Sequence, residues 1–243
     1  LASFQPGDEI IGDAANPMNV VYEALTNQEW GLNLGDPQID LVQFRAAAAT
    51  LALEENGFAF IWDRVMEVSA FIRMIEEQTD GVLVQEPLTG VFSFTLIRDD
   101  YTPGTLPLLD ETNVLEVVKF RRPSWNSTSN IVSVQFADSR KAFKTSYAIA
   151  QDSANIDIVQ STNLSNVNFP GVNNASLANS LAWRELRLLS YPIGTGRLIV
   201  NRTEYDLKPG DVREWSWDQL GLTRLPIRIT KINRGNLLKG QIA

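Results

Sequence analysis

Asn16-Pro-Met-Asn-Val-Val-Tyr-Glu-Ala-Leu-Thr-Asn-Gln-Glu-Trp-Gly31 is the stretch from which the fold is read. The Asn16 side-chain oxygen can accept an orphaned backbone N–H, which makes it a helix cap. Pro17 then suits the first helical position, where a missing N–H loses nothing. Met18, Val21 and Leu25 recur at helical spacing and form one apolar face, extended by Tyr22. Asn27 is a stop signal, and Trp30-Gly31 closes the unit with an aromatic and a turn residue. On physical grounds alone this is an amphipathic helix packed on a sheet.

Working outward, residues 1–15 carry Pro6-Gly7-Asp8 and Gly12-Asp13 around the apolar pair Ile10-Ile11 and read as an extended connecting arm. Asp40 can cap a second helix over 41–56, with Phe44, Ala47, Ala48 and Leu51 inward and Gly57 as its left-handed terminator. Phe58 to Trp62 reads as a short strand. A third helix follows over 66–79 and ends at Gly81. Val82–Gln85 and Val91–Ile97 flank a turn with Gly90 at the position that tolerates positive φ, which is a hairpin. Three helices, a strand and a hairpin make an α+β domain over 16–112.

Beyond Thr112 the pattern is strand-rich. Val114–Arg121, Asn130–Asp138 and Lys144–Ala150 read as strands, and 155–171 as strand-loop-strand. This spacing predicts an antiparallel β-barrel or sandwich over 113–243, interrupted by one helix over 174–190. That helix carries Leu177, Leu181 and Leu188 on one stripe, with Ala178, Trp183 and Leu189 beside it. Leu207-Lys-Pro-Gly-Asp-Val212 predicts a type II turn, because Pro209 pre-sets φ and Gly210 supplies the positive φ. Trp215 and Trp217 alternate along the following strand. Packing is the first reading for both, and an interface anchor the second. Residues 237–242 add a candidate edge strand.

The chain has 243 residues, no cysteine and no histidine. That removes disulfides, thiolate nucleophiles, imidazole bases and the common zinc ligands. A hydrophobic content of 44% suits a globular domain. No run approaches the roughly 18 to 20 apolar residues of a membrane span. No charged, apolar leader follows Leu1, and a Leu start is what a piece of a longer polypeptide would show. The net charge of −8 disfavours a DNA-binding surface, which needs clustered Lys and Arg. Ordinary solubility accounts for it, and so does a conduit past which DNA slides without sticking.

Carboxylates are the one catalytic kit left. A glycosidase sets two acids roughly 5 to 9.5 Å apart across a cleft. Asp99-Asp100, Asp110-Glu111 and Glu54-Glu55 are neighbours in sequence, so their side chains diverge on regular structure. No Gly-containing Asp/Asn loop suits calcium, and Gly194-Thr195-Gly196 lacks the Lys and helix of a phosphate loop. Four Asn-x-Ser/Thr matches, beginning at Asn126, Asn163, Asn174 and Asn201, read as chance in an Asn- and Ser-rich chain. The expectation is no catalytic residue, no metal and no cofactor.

The Asn16–Gly31 pattern, continued as Trp-Gly-Leu, resembles the central region of phage tail-tip and baseplate-hub proteins, the family of the host-specificity protein of lambda-like phages and the hub of gene transfer agents. Asp80-Gly-Val-Leu, Leu96-Ile-Arg-Asp-Asp-Tyr101 and Leu207-Lys-Pro-Gly-Asp-Val212 extend the resemblance toward the C-terminus. It implies a virion structural protein at the tail tip, assembled in the host cytoplasm as a homotrimeric ring. Such a ring closes the tail tube, takes part in host attachment and genome ejection, and lets DNA through without specific binding. The implied neighbours are the distal tail protein, the tape measure and receptor-binding fibres, with no membrane span. Asn16, Pro17, Tyr22, Trp30 and Gly31 are then structural residues of the first helical unit, and Pro209, Gly210 and Asp211 those of the barrel turn. The alternative is a carbohydrate-binding or glycoside-cleaving module of a tail tip, with Trp125, Tyr191 and Trp217 as platforms.

Overall fold

The computed structural model describes residues 10–63, 65–86, 88–235 and 241–242. Most of the arm, the turn at Pro6-Gly7-Asp8 and residues 237–240 of the expected last strand lie outside the described residues. What is described of the arm is a small antiparallel pair, β1 (Ile10–Ile11) on β2 (Ala14–Ala15). It leads into α1 (Pro17–Thr26), which starts as the sequence predicts. Asn16 accepts the Met18 N–H at 3.1 Å. Its amide also donates to the Ala48 carbonyl at 3.1 Å, on α2 (Leu41–Leu53), so one fully buried cap joins two helices. Asp40 caps α2 by accepting from the Val42 and Gln43 N–H groups.

Two glycines work differently from expectation. Helix α2 stops at Leu53, and Glu55, not Gly57, takes the left-handed conformation (φ 55°). Gly57 instead lets the arm approach: a methyl group there would lie 2.7 Å from Ala14 Cβ. Likewise α3 (Val68–Thr79) ends on Asp80 (φ 50°), and Gly81 opens β3 (Gly81–Gln85) pressed under the Phe94 ring. β3 pairs with β4 (Phe92–Leu96) in the expected hairpin, with Gly90 at φ 73°. Phe58 to Trp62 is no sheet strand. Only Phe58 bridges Ala15, and Phe58, Phe60 and Trp62 all turn their rings onto Phe71 of α3, at centroid distances of 5.8, 5.8 and 4.5 Å.

Next come β5 (Leu108–Leu109), β6 (Val114–Arg121), β7 (Ile131–Asp138), β8 (Lys144–Gln151), α4 (Ser153–Val159), β9 (Leu164–Asn168) and α5 (Ala175–Leu189). The chain closes with β10 (Thr195–Asn201), β11 (Val212–Trp217), β12 (Leu222–Arg228) and β13 (Gln241–Ile242). The region expected as strand-loop-strand contains α4, because Asp152 accepts the Asn155 N–H and starts a helix there. Then β9 runs parallel to β7.

The fold is α+β with mostly antiparallel sheets, as predicted, but the described strands close no barrel. They form two two-stranded and three three-stranded sheets: β1-β2, β3-β4, β8-β7-β9, β13-β10-β6 and β12-β11-β5. Nor do the residues divide at 112/113. One compact unit joins the residues up to Leu96 with Ser124–Pro192, and the other joins Ile97–Pro123 with the residues from Ile193 onward. In the second unit the two sheets enclose Leu109, Val114, Val200, Leu207, Trp215 and Ile242. In the first, α5 covers one face of β8-β7-β9 with Leu177, Ala178, Leu181, Ala182 and Leu186 against Val132, Val134 and Phe136. Leu188 and Trp183, expected along the stripe, face outward at 47% and 44% exposure.

The first unit is held together across the chain break by polar bonds. Arg184 of α5 donates to the terminal carbonyls of α3, Gln78 at 2.6 Å and Glu77 at 3.0 Å, pairs with Glu185 at 2.8 Å and lies over the Phe169 ring. The buried Gln78 amide donates to the Asn56 side chain at 3.0 Å and the Gly57 carbonyl at 2.8 Å. The Ala59 N–H donates to the Gly171 carbonyl at 2.8 Å, and a methyl group at Gly171 would sit 2.2 Å from the Phe58 ring and 2.6 Å from Gln78 Oε1. Overpacking of this kind costs about 1–3 kcal/mol. Gly171→Ala is therefore expected to lower unfolding free energy by that amount in urea titration, and an unchanged midpoint would refute this close approach.

Candidate assembly site

Five of the residues marked in the sequence lie on α1 and the loop that returns along it, in the first unit. Asn16 and Pro17 start α1. Tyr22, one turn on, donates its hydroxyl to Asp36 at 2.5 Å, and partial burial with that carboxylate beside it pushes its pKa up to about 12. At the far end of α1 the Asn27 side chain accepts the Glu29 and Trp30 N–H groups, turning the chain back along the helix. Leu32 and Leu34 then bond to the Ala24 and Leu25 carbonyls. This return passes so close that a methyl group at Gly31 would meet Ala24 O at 2.6 Å, which is why glycine stands there. Trp30 lands edge-on against Trp62 at 5.3 Å and Phe71 at 6.3 Å, and each tryptophan remains 37% exposed. Met18, Val21 and Leu25 are fully buried behind this rim.

Pro209, Gly210 and Asp211 lie in the second unit. The Asp211 N–H closes the type II turn onto Lys208 O at 3.2 Å, with Gly210 at φ 97°. The turn is locked from outside. Gly210 N–H bonds Ile229 O at 2.7 Å, Arg228 donates to Gly210 O at 2.9 Å, and the Asp211 carboxylate accepts the Lys208 N–H at 3.0 Å. Trp215 is 2% exposed and packs edge-on to Phe120 at 5.3 Å, so packing claims it and its ring is not presented to a partner. A bulge separates Trp215 from Trp217, which is half-buried. Sequence reasoning missed the adjacent Glu214, a fully buried carboxylate 2.5 Å from the Arg224 guanidinium that also accepts the Gly104 N–H. Its partners are distant in sequence, so no local signal pointed to it.

An open sheet face offered to solvent was also missed. The face of β8-β7-β9 opposite α5 carries Ile131, Ser133, Gln135 and Ala137 from β7, Thr145, Tyr147, Ile149 and Gln151 from β8, and Leu164, Asn166 and Asn168 from β9. None of these eleven is charged. Tyr147, Ile149 and Leu164 are 62%, 63% and 58% exposed. Both β8 and β9 end their sheet, so among the described residues no further strand pairs with either outer edge. Alternation along β8 carried the signal. The expectation of a barrel or sandwich over those strands hid it.

The site chemistry is sparse. Glu54, Glu55, Asp99, Asp100 and Glu111 are exposed. Hydrogen bonds from Thr112 hold the Asp110 carboxyl below its usual range, a turn-capping geometry. Among the described residues Glu76, on α3, is the carboxyl pushed upward, mainly by burial and despite accepting the Leu83 N–H at 2.6 Å. Among the described residues no group of three or more acidic side chains is placed to hold a metal ion, and no helix is long and apolar enough to cross a membrane.

The sequence model of the family described as "Putative phage tail protein" matches residues 67–232. No curated protein sequence matches the chain. Among solved structures the chain is similar to one from the virion of a native gene transfer agent particle, with a TM-score of 0.57 and 16% identity over 77% of this chain and 39% of that one. It is similar to the tail protein from Neisseria meningitidis MC58, with a TM-score of 0.51 and 14% identity over 81% and 63%. The 43 kDa tail protein of prophage MuSo2 from Shewanella oneidensis aligns at a TM-score of 0.46 with 15% identity over 74% and 54%. At these identities the likeness is one of fold, and the chain spans less than two thirds of the length of each.

Burial disfavours the ionised form of Glu76, so its folded pKa stands above its unfolded one. Folding is then favoured while Glu76 is protonated, and that advantage is lost as pH rises through the raised pKa. Glu76→Gln keeps an acceptor for Leu83 and removes the charge. It is expected to raise the melting temperature at pH 7, by a margin that shrinks toward acid pH. Equal melting temperatures at every pH would contradict this reading of Glu76.

Proposed function

This chain belongs to the phage tail protein family, and from that premise we propose that it is a tail-tip or baseplate-hub component that assembles as a ring of copies, closing the tail tube and linking it to receptor-binding parts. The observation that carries the ring is the bare face of β8-β7-β9. Three exposed apolar side chains stand on an uncharged surface of a chain with net charge −8. A copy that docks here meets no charged side chain on this face, so no charge of this face has to be taken out of water. An unpaired strand edge beside an apolar face is the feature a neighbouring chain completes by adding backbone hydrogen bonds. A lasting contact buries about 800 Å² on each partner, more than three side chains supply. The contact therefore extends over the neutral Ser, Gln and Asn positions between them.

The mechanism is geometric. The Asn16–Gly31 corner and the Pro209-Gly210-Asp211 turn hold backbone in place so that surfaces present a fixed shape, and no bond is made or broken. The acidic balance suits a passage for DNA, because phosphates find no basic stripe to hold them. The distal tail protein, the tape measure and receptor-binding fibres are the partners this role requires, with a homotrimer as the ring that fits the tail axis.

Light scattering of the purified chain, or of the longer polypeptide if it is a piece of one, is expected to give a closed oligomer, with rings in negative stain. Ile149→Lys places a charge on the bare face at an exposed position. It is expected to leave unfolding free energy within about 0.5 kcal/mol of the parent and to leave the protein monomeric. Rings that persist in Ile149→Lys would remove this face from the assembly, and a monomeric parent with turnover on a cell-surface polymer would overturn the structural role itself.

A further inference from the structure

One end of the β8-β7-β9 sheet is built from buried amides. Asn130, Asn155, Thr128 and Ser190 are all buried. Asn155 donates to Thr128 Oγ1 at 2.9 Å and to the Ser190 carbonyl at 2.7 Å, and accepts from Asn130 at 3.1 Å. Asn130 donates to Ser161 O at 2.8 Å and accepts the Asn163 N–H at 2.7 Å. Asn163 donates to the Asn126 and Thr128 carbonyls at 3.3 and 3.0 Å, and Thr128 closes onto Trp125 O at 2.7 Å. The network ties together the short turn Trp125–Ser127, the start of α4, loop 160–163 and the end of α5.

These bonds hold two aromatic rings at the surface. Trp125 is 39% exposed and Tyr191, directly after Ser190, is 59% exposed, with centroids 6.1 Å apart and planes at 59°. A buried polar network, once satisfied, fixes geometry more firmly than apolar packing, and a binding site needs its contacting rings fixed by such a supporting layer. Asn126 and Ser127, which follow Trp125 in the chain, and Ser161 and Thr162, in the loop that Asn163 ties to that turn, are uncharged and exposed. Rigid aromatic faces beside amide and hydroxyl groups match a pyranose: its C–H face packs on a ring and its hydroxyls exchange hydrogen bonds with the rim. The net charge of −8 weighs against nucleic acid or another polyanion.

We propose that Trp125 and Tyr191 form a binding platform for neutral pyranose units of a surface glycan, held in position by the Asn130–Asn155–Asn163 network. No bond cleavage is involved. The test titrates the protein, followed by saturation-transfer NMR and calorimetry, with hexasaccharides of glucose, galactose and N-acetylglucosamine and with heparin as an anionic probe. Binding of at least one neutral hexasaccharide is expected, weakened about tenfold or more in Trp125→Ala and in Tyr191→Ala, because a stacked aromatic contributes on that scale. Trp125→Phe should retain most of the affinity, and Trp183→Ala, another exposed tryptophan, all of it. Circular dichroism checks that the variants fold, and light scattering that their oligomeric state is unchanged, which keeps this outcome separate from the ring. No neutral sugar bound, binding indifferent to both substitutions, preference for heparin, or oligomers lost in Trp125→Ala would each overturn the proposal.

Discussion

Arg184 is the tie on which the first unit depends. A helix ends with carbonyls that have no partner inside it, and they carry the negative end of its dipole. The guanidinium of Arg184 meets two of these at the end of α3 while its own helix packs on β7 and β8. An element from the second half of the sequence thus completes one from the first. Glu185 balances the charge and the Phe169 ring covers its face. Next to it Gln78 reaches Asn56 and Gly57, and Gly171 lets the backbone close over Phe58. A charge this enclosed is tolerable only when nearly every donor is used, so the arrangement is demanding and specifies one way of joining the two halves.

Local chemistry was legible and distant pairing was not. Asn16-Pro17 announced α1 because a cap and a first-turn proline act within a few residues. Asp40 did the same for α2, and Pro209-Gly210 for its turn. Sequence shows only that glycine is permissive, and so predicts helix terminators at Gly57 and Gly81. Both in fact give clearance, to Ala14 and to the Phe94 ring, and clearance is a tertiary fact. Helix α4 was hidden by Asn-rich composition although Asp152-Ser153 is a fair start signal. Strand periodicity marked β6, β7 and β8 well, but it carries no strand order. A barrel or sandwich was therefore expected over 113–243, whereas the described strands close no barrel and divide between two units, and the helix expected to interrupt them covers the β8-β7-β9 sheet of the first unit.

The same open sheet is the surface on which the proposed assembly rests. Its inner face is completed by α5, and on its outer face Tyr147, Ile149 and Leu164 stand exposed. Such a surface is unsatisfactory for a molecule working alone and suitable for one that works among copies. Sites on rigid elements keep their geometry better than sites on loops. The bare face lies on strands, whereas the Trp125–Tyr191 pair lies on loops stiffened by buried amides. The pair stands at one end of the sheet that carries the bare face, and the two are proposed for different occupants, a neighbouring copy for one and a sugar for the other.

Hydrogen exchange compares the free chain with the assembled particle most directly. In an edge strand, alternate amides point away from the sheet and exchange with little protection until another strand covers them. If copies join through the bare sheet, the outward amides of Lys144–Gln151 slow by about tenfold or more on assembly, while those already bonded to β7 change far less. Identical exchange along β8 in the free and assembled states would contradict the account.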